Sequence, residues 1–294
     1  VDANPLLRAP SPVIRVEQGD TIWIQLENTH YFPHTIHLHG VDHPWVDSSG
    51  EGNDGVPQTS DKFVLPGQSK TYEIRPRVAG TFAYHCHVQT HVHLAMGLVG
   101  MFVVEENRPN NWVQTFNVGA GQVRHPSKAI LEEFDSEYDL HYHAMDKELH
   151  SIVQKYNDPR LIAKKMNREY DMTEATEDYH TLNGRSFPYT LRESMIVTEP
   201  DENIKMRMFN STGETLAMHT HGHKGTITHY DGVLHNPSAQ ITRDIYDLAP
   251  AQRNDLKINT KDDGFHSYGE GIWIFHDHRE KGITTDGQNP GGNV

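Results

Sequence analysis

The chain has 294 residues, of which 35% are hydrophobic, and a formal net charge of −14 at pH 7. This length favours about two domains and is enough to bury a core, and the acidic balance argues against nucleic acid or an anionic membrane surface as a partner. The longest apolar stretch, residues 94–104, is too short to cross a bilayer as a helix.

The first third of the chain has the pattern of β-strands joined by turns, which suits a composition with 23 glycines and 16 prolines. Residues 13–28 alternate apolar and polar side chains around Gly19-Asp20, and this pattern predicts a hairpin. Further strands are predicted at residues 69–74, 81–87 and 98–104. Strands at this spacing predict a Greek-key sandwich.

The middle of the chain separates two such units. Residues 107–126 are polar and interrupted by glycine and proline, as in a linker, and a strand is predicted from residue 130 to 143. Apolar residues then recur at three- and four-residue steps over 146–169, which predicts helix with a break at Asp158-Pro159. A second sandwich is predicted to resume at residue 181. We therefore predict domain 1 over residues 1–107 and domain 2 over 108–294, with a helical insertion at about 145–178.

The segment His85-Cys86-His87-Val-Gln-Thr-His91-Val-His-Leu-Ala-Met96 contains the only cysteine of the chain. A thiolate, imidazoles and a thioether are the ligands of a blue-copper electron-transfer site, and here Cys86, His91 and Met96 are the candidates. Alternate side chains of a strand point to opposite faces. Cys86 is therefore predicted to face away from His85 and His87, so that its backbone joins one metal site to a second.

An internal repeat supplies matching histidine pairs. Residues 34–40 read His-Thr-Ile-His-Leu-His-Gly, and residues 216–222 read Leu-Ala-Met-His-Thr-His-Gly. Residues 273–278, Trp-Ile-Phe-His-Asp-His, correspond to residues 82–87. The second copy keeps every His-x-His pair but has Leu216, Asp277, Gly282 and Gly287 in the positions of His34, Cys86, His91 and Met96. The joint change of four residues indicates that one site is lost while the other is kept.

These motifs, HxxHxHG, HCHxxxHxxxxM, HxHG and HxH, resemble those of the multicopper oxidases, specifically two-domain, laccase-like members with type 1 copper in the first domain. The resemblance covers about residues 13–106 and 180–287. It implies an all-β fold of two cupredoxin-like Greek-key β-sandwich domains with the helical insertion between them. It also implies an enzyme that takes electrons singly at type 1 copper and reduces dioxygen to water at a trinuclear copper cluster.

Carried over residue by residue, the resemblance implies four coppers per chain. Type 1 copper would lie on His34, Cys86, His91 and Met96, and type 2 copper on His37 and His219. The type 3 pair would lie on His39, His85, His87, His221, His276 and His278. Similar two-domain members are homotrimers with each cluster between two subunits, so we expect a homotrimer with interchain clusters.

Several alternatives remain open from the residues themselves. Histidine pairs in strands are often ordinary surface or hydrogen-bonded residues, and zinc also binds histidine and cysteine. A copper nitrite reductase would also be a trimer of two cupredoxin domains, but its one-copper catalytic site does not use eight histidines. A non-catalytic copper-storage or electron-carrier cupredoxin would consume no oxygen. His93, His223, His229 and His235 are expected to lie beside ligands or at the surface. The pair His141 and His143 has the His-x-His spacing but no counterpart in the repeat, so it is not expected to bind metal.

Asp54 and Asp231 each precede a glycine and follow a His-x-His-Gly motif. Oxygen reduction consumes protons, so each is a candidate proton relay, although Asp-Gly is also a common turn. Asp277 is expected to be structural. The donor is left open among phenols, aromatic amines, metal ions and small nitrogen compounds. We expect an exported protein, periplasmic or extracellular, from which a leader was removed.

Overall fold

The computed structural model describes residues 9–106, 133–156 and 158–294. About 36% of the chain is strand and 14% is helix. The predicted all-β fold with a helical insertion is confirmed. The linker predicted at residues 107–126 lies outside the described residues, as does the start of the strand predicted at residue 130.

Domain 1 is a sandwich of two small sheets. Its strands are β1 (Ile14–Glu17), β2 (Ile22–Glu27), β3 (His37–His39), β4 (Ser69–Ile74), β5 (Gly80–His85) and β6 (Val99–Glu105), with helix α1 (Thr90–His93) between β5 and β6. One sheet has the order β1-β6-β5-β3 and the other pairs β2 with β4. Phe82 and Phe102 from the first sheet and Ile74 from the second are buried in one core cluster.

The hairpin predicted over residues 13–28 is wrong. Strand β1 pairs in parallel with β6, whereas β2 pairs with β4 in the other sheet. The turn at Gly19 is present, with a φ of 86°, but it carries the chain from one sheet to the other. Alternation of apolar and polar residues shows which side of a strand faces the core, but it does not show which strand is its partner. The alternation is the same whether two successive strands form a hairpin or belong to different sheets.

The described residues of domain 2 form ten strands. They are β7 (Ser136–Met145), β8 (Tyr179–Leu182), β9 (Asn203–Asn210), β10 (Leu216–Thr220), β11 (Gly225–Tyr230), β12 (Val233–Leu234), β13 (Ile241–Arg243), β14 (Ile245–Leu248), β15 (Arg253–Asn259) and β16 (Phe275–Asp277). A large sheet has the order β12-β11-β15-β9-β7-β8, with β13 also on β11, and a small sheet has the order β14-β10-β16. The short helix α4 (Thr190–Glu193) lies between β8 and β9. Within the described residues, no sheet mixes strands from residues 9–106 with strands from residue 133 onward.

The helical insertion lies between β7 and β8 and packs on domain 1. It consists of α2 (Lys147–Lys155), α3 (Pro159–Lys164), a π-helical turn (Lys165–Glu169) and a 3₁₀ turn (Met172–Glu174). Asp146 and Asp158 cap α2 and α3 by accepting from backbone N–H groups, so the predicted break at Asp158 is confirmed. Leu149, Ile162 and Met166 are buried together with Val92 of α1.

The two halves of the chain are joined by a buried ionic network. Arg15 of β1 contacts Glu105 at 3.0 Å and Glu137 of domain 2 at 3.1 Å. Arg207 contacts Glu137 at 2.9 Å and donates to Thr81 at 2.8 Å. Charges this deeply buried are tolerated because each has an opposite charge or a hydrogen bond. In the described part of the chain, no helix is long and apolar enough to cross a membrane.

Candidate metal centres

The internal repeat seen in the sequence is also a repeat of strand pairing. In domain 1, His37 of β3 lies opposite His85 of β5. In domain 2, His219 of β10 lies opposite His276 of β16. Because directly opposed residues on neighbouring strands share one face of a sheet, each pairing gathers four imidazoles. We call His37, His39, His85 and His87 the first histidine set, and His219, His221, His276 and His278 the second.

Backbone carbonyls fix the tautomer of two rings in each set, and the partners correspond. His37 donates from Nδ1 to the carbonyl of Asp54 at 2.8 Å, and its counterpart His219 donates to the carbonyl of Asp244 at 2.9 Å. His85 donates to the carbonyl of Cys86 at 2.9 Å, and His276 donates to that of Asp277 at 3.0 Å. A neutral imidazole whose Nδ1 donates keeps a lone pair on Nε2 for a metal. These residues therefore fit metal ligands.

The first set is compact and partly buried. The ligating nitrogens of His37, His39 and His85 lie within 4.8 Å of one another. His87 stacks on His85 with ring centroids 5.8 Å apart, and its buried Nδ1 has no hydrogen-bond partner among the described residues. Burial lowers the pKa of His85 to about 4, and burial with the nearby Arg253 lowers that of His39 to about 4. The rings of His39 and His85 are therefore neutral, as metal ligation requires.

The second set is open to solvent. The Nε2 atoms of His221 and His276 lie 3.3 Å apart, and the ring centroids of His219 and His278 lie 5.5 Å apart. His221 and His278 are exposed. The large side chains of Phe265, Tyr268, Ile272 and Ile274, from the segment that leads into β16, are also exposed.

The two sets do not meet within the chain. The groups whose charges shift the pKa of His39 are His37, His87, Arg253 and Asp231. The groups whose charges shift the pKa of His221 are the other three members of the second set. Within the described residues, every ring contact of either set is to a member of that set or, for His37, to His43. Each set is therefore a separate group of four histidines.

Cys86 lies on the other side of the backbone, as predicted, in a site with two histidines. Its Sγ is 3.4 Å from Nδ1 of His34 and 3.3 Å from Nδ1 of His93. A metal bonded at about 2.3 Å to sulfur and about 2.0 Å to nitrogen with a tetrahedral angle separates these atoms by about 3.5 Å. All three side chains are buried, and the donor set is that of a blue-copper site. The residues therefore fit such a metal.

In the structure, His93 lies beside Cys86 at the place predicted for His91. Gln89 has a φ of 47°, and α1 begins immediately after it at Thr90. Successive helical residues are about 100° apart, so side chains two positions apart point to nearly opposite sides. His93 is consequently 3% exposed and faces Cys86, whereas His91 is exposed. Met96 packs with Val92 against the helical insertion, and its predicted role as axial ligand stays a prediction.

The protonation of the Cys86 site follows from burial. Burial, with smaller contributions from neighbouring histidines, lowers the pKa of His34 to about 3 and that of His93 to about 4. Burial also raises the pKa of the Cys86 thiol. A metal that binds here would meet two neutral imidazoles and displace the thiol proton.

In domain 2, the place that corresponds to the Cys86 site is filled by other side chains. Leu216 and Asp277 are fully buried, and the carboxylate of Asp277 accepts from Arg279 at 2.8 Å. Gly282 packs so closely that an added Cβ would lie 2.1 Å from Asp277 Oδ2. The ion pair and the packing of Gly282 leave no room for a metal ligand. The expectation that Asp277 is structural agrees with this arrangement.

Asp54 lies beside the first set. Its Oδ1 is 3.3 Å from Nδ1 of His37 and 3.2 Å from Nε2 of His43. Gly55, with a φ of 75°, lets the turn approach so closely that an added Cβ would lie 1.9 Å from the carbonyl oxygen of Ile36. Asp231 also lies near the first set rather than the second, in a turn with a φ of 51°, and pairs with Arg253 at 3.3 Å.

Three histidines near the candidate sites were not identified as important in the sequence analysis. His93 was expected to lie beside the ligands, His43 was not considered, and neither was His30, whose Nδ1 is 2.9 Å from Nε2 of His34. One further His-x-His pair, His141 and His143, lies outside the two histidine sets; it is buried, and both rings contact Ser211 Oγ. Among the described residues, this pair belongs to no group of ligands close enough for a metal.

Comparisons with known proteins agree with this arrangement. Two family models, each described as multicopper oxidase, match residues 8–109 and 162–284. Copper resistance protein A of Escherichia coli is 22% identical over 276 residues, which are 90% of this chain and 44% of that protein. The chain thus spans less than half the length of this curated relative.

Two solved structures are informative for different reasons. The blue copper oxidase from Nitrosomonas europaea is 26% identical, with a TM-score of 0.74, over 98% of this chain and 76% of that one. The copper nitrite reductase from the same organism is 19% identical, with a TM-score of 0.57, over 92% of this chain and 79% of that one. At this identity the second likeness concerns the fold alone.

Proposed function

We propose that this chain, which belongs to the multicopper oxidase family, oxidises a donor by single electrons at the Cys86 site and reduces dioxygen to water at a three-copper cluster. The observation that carries the proposal is the pair of matched histidine sets. A reductase with one copper in its active site has no use for eight imidazoles, and a carrier needs only the Cys86 site.

Four coppers per chain are proposed. His34, Cys86 and His93, with Met96 as the candidate axial ligand, would hold the first. His37 and His219 would hold a second, and His39, His85, His87, His221, His276 and His278 would hold the remaining pair. Copper at these positions supplies reversible one-electron chemistry and a site at which dioxygen is reduced.

The covalent structure around Cys86 joins the two kinds of site. The Cys86 side chain meets His34 and His93, while His85 and His87 on either side of it belong to the first set. A path of a few backbone bonds therefore connects the donor side to the oxygen side. The hydrogen bond from His85 Nδ1 to the Cys86 carbonyl, 2.9 Å long, provides a second short connection.

A complete eight-histidine site requires a second copy of the chain. The second set is open to solvent at His221 and His278, and it is flanked by apolar side chains, including Ile272, which is fully exposed. Exposed apolar residues beside a functional half-site favour a protein interface. Head-to-tail contacts close into a ring when the rotation between neighbouring copies permits it, and we propose a homotrimer in which each first set meets a neighbour's second set.

Asp54 is the proposed proton relay for oxygen reduction. Its carboxylate lies between His43 and His37, so a proton can move from one side of the turn to the edge of the first set. Asp231 is a second candidate, since it acts electrostatically on His39. Its ion pair with Arg253 makes it the weaker of the two.

The test is copper content and oxygen uptake on one sample, with a generic one-electron donor. About four coppers per chain and steady oxygen consumption would support the oxidase. One or two coppers with nitrite turnover would favour the reductase, and a blue protein that consumes no oxygen would favour the carrier. The proposal includes export to the periplasm or cell exterior, which fractionation of the native host would test.

Mixing two inactive variants tests the interchain site. A His39→Ala chain lacks a first-set ligand, and a His276→Ala chain lacks a second-set ligand. In a mixed trimer some interfaces receive both intact sets, so oxygen consumption should return in part. Clusters closed within each chain would remain defective, and mixing would then restore nothing.

A further inference from the structure

The loop that follows α1 is held by its own backbone except at one carbonyl. The carbonyls of residues 92, 93 and 94 each accept from a backbone N–H within residues 96–98, at 2.8–3.0 Å. Within the described residues, no backbone N–H donates to the carbonyl of Ala95. A carbonyl in a partly buried loop needs a hydrogen-bond donor, so the partner of Ala95 decides how firmly this part of the loop is held.

His150 of the helical insertion supplies that donor. Its Nε2 lies 3.3 Å from the carbonyl oxygen of Ala95. A carbonyl oxygen can only accept a hydrogen bond, so Nε2 of His150 donates. Burial lowers the pKa of His143, and the same carbonyl opposes this effect, but the buried Nε2 of His143 has no hydrogen-bond partner among the described residues. The hydrogen bond to the Ala95 carbonyl is therefore that of His150.

Helix α2 holds His150 in a fixed position. Asp146 caps the helix by accepting from the backbone N–H of Leu149 at 2.8 Å, and its second carboxylate oxygen accepts from the Tyr170 hydroxyl at 2.6 Å. Leu149, which precedes His150, is completely buried and packs with Val92 of α1. The cap and the apolar contact fix the start of α2 from both sides, so the donor of His150 is already in place beside the loop.

The loop that His150 contacts carries residues of the Cys86 site on both sides of Ala95. His93 lies two residues before Ala95, and its Nδ1 is 3.3 Å from Cys86 Sγ. Met96, the candidate axial ligand, follows Ala95 directly and packs in the same apolar cluster as the insertion. A shift of the Ala95 peptide would therefore move residues that belong to the site.

We propose that His150 is a positioning residue for the Cys86 site, and that its hydrogen bond to the Ala95 carbonyl holds the loop in the conformation that binds copper. The inference rests on the proposed function. In a chain without this bond, copper has to order the loop itself and so binds less tightly. Because such a coupling is reciprocal, copper at the Cys86 site stabilises the contact between the insertion and the loop by the same factor.

The experiment measures the affinity of the Cys86 site for copper in the parent and in four variants. His150→Leu replaces the donor by an apolar side chain, and His150→Ala removes the same donor without adding apolar volume. His150→Gln keeps an N–H donor at a similar distance from the backbone. Gln154→Leu is the matched control, since Gln154 is exposed one turn further along α2. Each protein is equilibrated with a series of cupric nitrilotriacetate buffers, and the copper–thiolate absorption reports occupancy.

The expected result depends on the donor alone. His150→Leu and His150→Ala should lower the affinity of the blue site for copper by roughly two- to tenfold, as expected for loss of one hydrogen bond. His150→Gln should restore most of the affinity, and Gln154→Leu should match the parent. Unchanged affinity in both donor-free variants, failure of His150→Gln to restore it, or an equal loss in Gln154→Leu would overturn the proposal.

Hydrogen exchange of the α2 amides, measured with and without copper, separates positioning of the site from a purely structural role. Copper should slow this exchange in the parent by roughly two- to tenfold more than in His150→Leu, because the coupling acts in both directions. A purely structural contact would speed exchange in the copper-free variant and leave the effect of copper unchanged, and that outcome would also overturn the proposal.

The absorption of the parent distinguishes failure of the His150 role from failure of the proposed function. A blue parent whose variants bind copper equally well would overturn the His150 role alone. If the copper-loaded parent has no blue absorption, the proposed function itself fails, and the His150 role fails with it.

Discussion

Replacing His93 by alanine should remove the blue copper, and replacing His91 should not. The His93 ring is 3% exposed and its Nδ1 is 3.3 Å from Cys86 Sγ, whereas His91 is exposed on the same helix. Loss of a hydrogen bond to a metal ligand alone lowers affinity 10- to 100-fold. Loss of the ligand itself should therefore cost more than about 100-fold in copper affinity. The cost in folding stability should be about 0.5–3 kcal/mol for His93 and within about 0.5 kcal/mol for His91.

The assay is copper content, visible absorption and urea unfolding of the two variants beside the parent. His93→Ala should retain about three of four coppers per chain, lose the copper–thiolate absorption and keep its far-ultraviolet circular dichroism. His91→Ala should match the parent in all three measurements. A blue His93→Ala protein together with a colourless His91→Ala protein would refute the geometry of the site and restore the ligand predicted from the motif spacing.

Three other predictions concern the helical insertion, acid stability and proton delivery. Leu149→Ala removes a fully buried side chain that packs with Val92, so it should cost about 2–5 kcal/mol in urea unfolding and disturb the blue absorption; Leu149→Met, which keeps the volume, should cost less than about 1.5 kcal/mol. Burial lowers the pKa of His143 to about 4 from 6.5. As the pH falls, the unfolded chain is therefore protonated before the folded chain, and the contribution of His143 to the free energy of unfolding is lost between pH 6.5 and 4. By pH 5 this loss is about 2 kcal/mol. Between pH 7 and 5, the free energy of unfolding of copper-free His143→Gln should therefore fall by about 2 kcal/mol less than that of the parent, and equal losses would contradict the assignment. Asp54→Asn should slow oxygen consumption by about 100-fold and leave anaerobic reduction of the blue copper unchanged. If Asp231→Asn slowed oxygen consumption equally, the assignment of the relay to Asp54 would be wrong.

The class of fold could be predicted from the sequence because its signals are local. Period-two alternation gives strands, and three- and four-residue steps give the helices at Lys147–Lys155 and Pro159–Lys164. The pairing of β1 with β6 could not be predicted in this way. It joins residues about 90 positions apart, and local alternation is identical for strands that turn back on themselves and for strands that pass to another sheet.

The histidine pairs could be predicted as a candidate metal site because the repeat contains them twice. The residue of α1 that faces Cys86 could not be predicted, because a motif counts residues along the chain and does not say where a helix begins. The left-handed conformation of Gln89 sets the start of α1 and thereby turns His93, in place of His91, toward Cys86. His30 belongs to no motif, and only the fold of its loop brings it to His34.

Domain 2 contributes to both ends of the proposed electron path, although it has lost its own cysteine site. Its helical insertion covers α1 and so limits access to Cys86, while in the proposed assembly its second histidine set would complete the oxygen site of another copy. Electron entry and transfer through Cys86 to His85 and His87 would then involve one chain, because covalent bonds fix the spacing of the two sites. Oxygen reduction would involve two chains, because the two histidine sets lie apart within each. If the proposal is correct, association is required for turnover but not for uptake of the first electron.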